Sequence, residues 1–141
     1  MKKLFATLTA LLLAATAFAV TTAPAATALT GVQDLKGTWI GTYGGYEGTE
    51  KVASGQERIV ITAIHAGVAQ GYWQSKQVGE KWSKKGTLHL MTSQLADRLL
   101  VSGSDLAGTY VGTLTENGEL TLAYAQVAGR FLNLQISVRK Q

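Results

Sequence analysis

Apolar and polar residues alternate along most of the chain from Lys36 onward. Leu132, Leu134, Ile136 and Val138 fall on one face, and Asn133, Gln135, Ser137 and Arg139 on the other. Leu120, Leu122 and Tyr124 alternate with Thr121, Ala123 and Ala125 in the same way. A period of two with one wet side marks half-buried strands. The pattern predicts strands at Thr38–Tyr43, Glu57–Ile64, Val68–Ser75, Gly86–Thr92, Arg98–Ser102, Thr109–Thr115, Leu120–Val127 and Phe131–Arg139. Short turns separate them: His65-Ala66-Gly67, Asn117-Gly118, whose residues accept positive φ, and Ala128-Gly129. Only Ser93–Asp97 has the spacing for a helical turn.

Short strands joined by short turns are antiparallel neighbours, and such a meander closes on itself. The expected fold is all-β: a single eight-stranded antiparallel up-and-down barrel spanning residues 34–141. A barrel of that size encloses side chains or one small ligand. The segment 44–56 (GGYEGTEKVASGQ) is expected as a long irregular loop, a form often used as a lid or binding loop. It would rim the same end as the turns after Ser75, Ser102 and Val127, which makes that end the mouth.

The first residues have a different pattern. Lys2 and Lys3 precede an apolar run from Leu4 to Ala17, followed by Ala17-Phe18-Ala19. This is the layout of a secretory signal peptide cleaved after Ala19, and it predicts a secreted or periplasmic protein. Residues 20–33 are small and weakly polar, carry Pro24, and are expected as a disordered leader. Over the whole chain the formal charge is +4; loss of residues 1–19 removes Lys2 and Lys3 and lowers it to +2. A balance so near neutral gives no footprint for nucleic acid. No membrane span is expected once the signal is cleaved.

Zero Cys excludes a disulfide framework and a thiolate zinc site. No G-x-S-x-G elbow, P-loop, G-x-G-x-x-G or H-E-x-x-H occurs, so no catalytic residue, metal ligand or cofactor is assigned and the protein is read as non-enzymatic. His65 reads as a solvated turn residue and His89 as a wet-face residue. Acidic residues, Glu57 and Asp105 among them, are scattered, and solvation in loops accounts for most of them. Lys76, Lys81, Lys84 and Lys85 surround Trp82 and read as a solvated hairpin that blunts an edge.

Aromatic residues carry the functional reading. Tyr43, Tyr46, Trp73, Tyr110 and Tyr124 are the expected ligand-binding set at the mouth, offering apolar faces and hydroxyl tips. The strings G-T-W-I-G-T-Y (37–43) and G-T-Y-V-G-T-L (108–114) echo one another. Glycine at a tight barrel bend accounts for the echo without a duplicated site.

Leu35-Lys36-Gly37-Thr38-Trp39 followed by a strand meander resembles the calycin group: lipocalins, fatty-acid-binding proteins and the avidin/streptavidin family. I-V-I-T-A (59–63) and G-Y-W-Q-S (71–75) are similar to the second and third strands of the avidin type. The resemblance implies that Trp39 packs near one barrel end under a basic residue of the last strand. Arg139 is the expected partner for that closure. Ile40 and Gly41 stand where biotin binders carry polar residues, so the resemblance implies the barrel rather than biotin. It also leaves an oligomer open, with barrels packed through their outer faces.

Two function classes follow. The first is an exported barrel binding a small apolar or amphipathic ligand at its mouth. The second is a periplasmic protein-binding module, such as a barrel-type protease inhibitor whose residues 20–33 enter an enzyme cleft. A filled structural barrel without ligand is the remaining alternative.

Overall fold

The computed structural model describes residues 31–126 and 131–141. The signal peptide, the leader up to residue 30 and the Ala128-Gly129 reversal lie outside the described residues. A 3-10 turn, Val32–Leu35, precedes eight strands: β1 Gly37–Glu47, β2 Glu50–His65, β3 Val68–Lys76, β4 Gly86–Gln94, β5 Arg98–Ser104, β6 Gly108–Thr115, β7 Glu119–Gln126 and β8 Leu132–Lys140. The first described element thus begins two residues ahead of Asp34. Each strand pairs antiparallel with the next, and β8 returns to β1, closing an up-and-down barrel.

Alternation decides which side chains fill it. Trp39, Ile59, Leu88, Leu122 and Val138 are buried, and each sits on the inward parity of its strand. Fully burying such a side chain contributes about 1.5–3 kcal/mol. The echoed glycines serve the bend. A Cβ on Gly41 would collide with the backbone of Ser137, and one on Gly112 with the backbone of Thr121.

One end is closed by the N-terminal turn. Leu35 and Trp39 are both 0% exposed, and the Trp39 indole Nε1 donates to the Leu35 carbonyl at 2.8 Å. The cation over Trp39 is Lys140, not Arg139. The Lys140 ammonium stands 5.9 Å from the indole centroid and donates to the Asp34 carbonyl at 2.9 Å. Arg139 turns outward and donates to Glu119 Oε2 at 2.8 Å and to the Asn117 carbonyl at 3.3 Å. The period of two explains this. Lys140 shares the inward parity of Ile136 and Val138, and it lies opposite Trp39 in the β1–β8 register.

The segment 44–56 is not an irregular loop. β1 and β2 run on as a hairpin arm, with Tyr46 opposite Lys51 and Glu47 opposite Glu50. Gly48 takes the turn at φ +60. A register shift between Tyr43 and Gly45 admits an extra β2 residue, a bulge that interrupts the alternation. β8 supports the arm from its other side, pairing Gly44 with Gln135 and Glu47 with Leu132. Ser93–Asp97 is not helical either: β4 continues through Gln94, and Leu95 N donates to the Arg98 carbonyl at 2.9 Å.

Candidate functional site

At the mouth the inward positions no longer meet across the barrel, and a cavity of about 280 Å³ remains. β1 contributes Tyr43, β2 Glu57, β3 Trp73 and Ser75, β6 Tyr110, β7 Tyr124, and β8 Leu132, Leu134 and Ile136. Gly55 and Gly86 make room for two of the rings. A Cβ on Gly55 would collide with the Tyr43 ring, and one on Gly86 with the Trp73 indole.

Four residues of the expected set therefore come together: Tyr43, Trp73, Tyr110 and Tyr124. Tyr46 does not join them. Three positions on from the inward Tyr43, it lies on the outer wall opposite Asn133 and is 53% exposed. There it flanks a broad depression of about 890 Å³ that takes in Val111, Ala123 and Asn133 on the outer wall and reaches Tyr43 and Tyr124 at the rim.

Asp105 organises the rim. Its Oδ1 accepts the backbone N–H groups of Ala107 and Gly108 at 2.8 Å each, which fixes the β5–β6 turn. The Tyr110 hydroxyl donates to Oδ2 at 3.2 Å and the Tyr124 hydroxyl to Oδ1 at 3.4 Å. The two rings lie 4.5 Å apart at 42°, within the range for favourable tilted aromatic pairs. Burial first, and the Asp105 carboxylate second, raise both phenols above their ordinary value, Tyr124 to about 12. Tyr43 is raised by burial and then by Glu57 and Glu80. These hydroxyls therefore keep their protons at neutral pH.

Two features of the cavity wall are polar and costly. Glu57 is 3% exposed, and burial pushes its carboxyl from 4.5 up to about 8. It is predominantly protonated at pH 7. The Trp73 indole N–H is buried with no hydrogen-bond partner among the described residues. An unmet buried donor costs about 1–3 kcal/mol.

Glu57 and Asp105 are the site residues that the sequence reading left among solvated acids. For Glu57 the signal was present: it shares the parity of Ile59 and Ile61, both buried. Asp105 reaches the site through a turn, where alternation gives no direction.

The basic cluster lies outside this cavity. Trp82 is half-buried, with the Arg58 guanidinium carbon 4.1 Å and the Lys76 ammonium 4.8 Å from its centroid. Lys85 lies 4.1 Å from the Tyr72 centroid. Ser83 exchanges hydrogen bonds with the Ser75 backbone, so the β3–β4 connection is pinned to the outer wall. His65 and His89 are exposed, and no group of three or more metal-ligating side chains occurs among the described residues. No helix among the described residues is long and apolar enough to cross a membrane.

Neither a protein-family model nor a curated protein matches the chain. Among solved structures it is similar to the crystal structure of Rv2717c from M. tuberculosis, with a TM-score of 0.56 at 14% sequence identity. That likeness covers 78% of this chain and 94% of the other, and it extends to the fold alone. The closed eight-stranded barrel is consistent with a calycin-like architecture.

Proposed function

We propose that this barrel is an exported, non-enzymatic carrier or receptor that holds one small ligand in its mouth, as the calycin resemblance implies. The observation that carries the reading is the mouth cavity of about 280 Å³, walled by Tyr43, Trp73, Tyr110 and Tyr124; the Trp73 indole N–H beside it is buried with no partner among the described residues. A ligand acceptor there would satisfy it, turning a cost in the empty barrel into affinity. Apolar walls from Leu132, Leu134 and Ile136 and the hydroxyls of Tyr43, Tyr110 and Tyr124 supply the rest of a small-molecule site.

Native mass spectrometry of the protein recovered after export tests this. The expected spectrum shows a mass above that of the chain, lost on gentle activation and weakened at least tenfold in affinity by Trp73→Phe. A bare chain mass that stays bare after incubation with an extract of the host's small molecules overturns it.

A second reading has an observation of its own. Tyr46 and Val111, 53% and 62% exposed, flank the outer depression. Exposed apolar residues beside a broad hollow suit a protein partner. Deletion of residues 20–30 separates the readings: it abolishes binding by an inhibitor-like module and leaves the small ligand in place.

A further inference from the structure

The ionisable groups of the mouth cavity are of one kind. Tyr110 and Tyr124 both spend their hydroxyl protons on Asp105, which leaves their oxygen lone pairs as acceptors. Glu57 adds a carboxyl in the wall. The Trp73 Nε1 donor is buried with no partner among the described residues. Among the described residues no Lys, Arg or His lines the cavity. Among the described residues, the charged groups that act on its phenols are acidic: Glu57 itself, Asp105 behind two of the hydroxyls, and Glu80, close enough to act on Tyr43. Rings from four strands surround this acidic space, and an aromatic face attracts a cation.

We infer that the occupant is a small organic cation, an amine or quaternary ammonium of about ten non-hydrogen atoms (the room of roughly nine waters at ~30 Å³ each). Its positive centre sits among the aromatic rings beside the Glu57 carboxylate, and an acceptor on it takes the Trp73 N–H. This inference rests on the proposed function, since it names the ligand class of the same cavity. A carboxylate or phosphate ligand would face Glu57 and the Asp105-bound phenols with no described cation to pair it.

Binding then carries a proton signature. Glu57 shares the cavity wall with Tyr43 from β1, Trp73 and Ser75 from β3, Tyr110 from β6, and Tyr124 and Gln126 from β7. None of these side chains is cationic. In the empty barrel burial keeps the carboxyl protonated at neutral pH. An arriving cation favours the ionised form, so the proton leaves as the ligand enters.

Three probes of matched shape test the inference by isothermal titration of the full exported chain at pH 7. They are tyramine (a cation), its neutral alcohol counterpart 4-(2-hydroxyethyl)phenol, and the anion 4-hydroxyphenylacetate. Tyramine is expected to bind at least ~10-fold tighter than the alcohol, and the anion weakest of all. Titration in two buffers of different ionisation enthalpy is expected to show about one proton released with tyramine and none with the alcohol. Glu57→Gln is expected to bring tyramine down to the alcohol's affinity and leave the alcohol unchanged. Trp73→Phe, which removes the N–H and part of the indole while keeping an aromatic face, is expected to weaken all three and preserve their ranking.

Equal or tighter binding of the alcohol or the anion overturns the cation inference and leaves the cavity a binding site. Undiminished tyramine binding by Glu57→Gln overturns it as well. Absence of heat with all three overturns it too, and the native mass spectrum then decides whether the proposed function falls with it.

Discussion

Trp39 and Trp73 both point into the barrel, one at each end, and their circumstances are opposite. Trp39 is 0% exposed, donates its N–H to Leu35, and lies beneath the stem and ammonium of Lys140. Trp73 flanks a cavity, and its N–H has no partner among the described residues. The closed end is apolar and satisfied; the mouth holds a desolvated carboxyl, an unmet donor and open volume. The comparison teaches where this small fold keeps its stability. One end is fully buried with its indole N–H satisfied, and that stability tolerates costs at the other, where a ligand can recover them.

The largest expected effect breaks or sustains this contrast directly. Trp39→Ala leaves a cavity in the packed end and removes a ring that nothing can replace. It is expected to cost about 3–5 kcal/mol in urea unfolding. Trp73→Phe deletes the unmet N–H and trades the indole for a smaller apolar ring beside a cavity that is already open. The two changes oppose one another, and in the ligand-free protein the net effect is expected to stay within ~1 kcal/mol. Similar losses at both positions would show that the two ends contribute alike.

Glu57 provides the next effect, read through pH. Its carboxyl is held near 8 in the folded barrel against 4.5 when exposed, so the folded state binds more protons between those values. Stability must therefore fall as pH rises from about 4.5 to about 8, by a few kcal/mol in all, and then level off. Below the lower value Glu57 contributes no pH dependence. Glu57→Gln is expected to flatten this part of the curve and to exceed the parent protein in Tm at pH 9. A parent curve that rises across the same window would mean that Glu57 is ionised and paired in the folded state, and the mouth would then be as satisfied as the closed end.

Most of the barrel was legible in the sequence because its rule is local. A period of two assigns a face to each residue, and short turns assign neighbours. The same rule failed where geometry departed from it. The arm at 44–56 carries four Gly together with Glu47, Glu50 and Lys51, which are poor strand formers, and a bulge disturbs its alternation; pairing to β8 makes it a strand nonetheless. Tyr46 was placed in the mouth because it was read as part of a loop, but on a strand its parity sends it outside. Asp105 acts through a turn whose hydrogen bonds have no periodic signature. Glu57 begins a predicted strand on the parity of Ile59 and Ile61, but as one of several scattered acids it reads as solvated, because carboxyls are rarely buried unpaired.

The smallest effect concerns the cation that closes the packed end. Lys140 and Arg139 are adjacent basic residues, and the calycin resemblance alone does not choose between them. Parity does: Lys140 faces Trp39, and Arg139 meets solvent and Glu119. The Lys140 stem also packs on Gly37, where a Cβ would press against its Cε at 2.9 Å. Lys140→Ala is expected to lose about 0.5–1 kcal/mol, from the ring contact, the Asp34 hydrogen bond and the covered stem together. Arg139→Ala removes an exposed pair whose partners are 60% and 30% accessible, so its loss should stay under about 0.5 kcal/mol and shrink further in high salt. The indole of Trp39 gives an independent readout. Its fluorescence should move with Lys140→Ala and stay fixed with Arg139→Ala. The reverse pattern would place the guanidinium over the ring and remove Lys140 from the closed end.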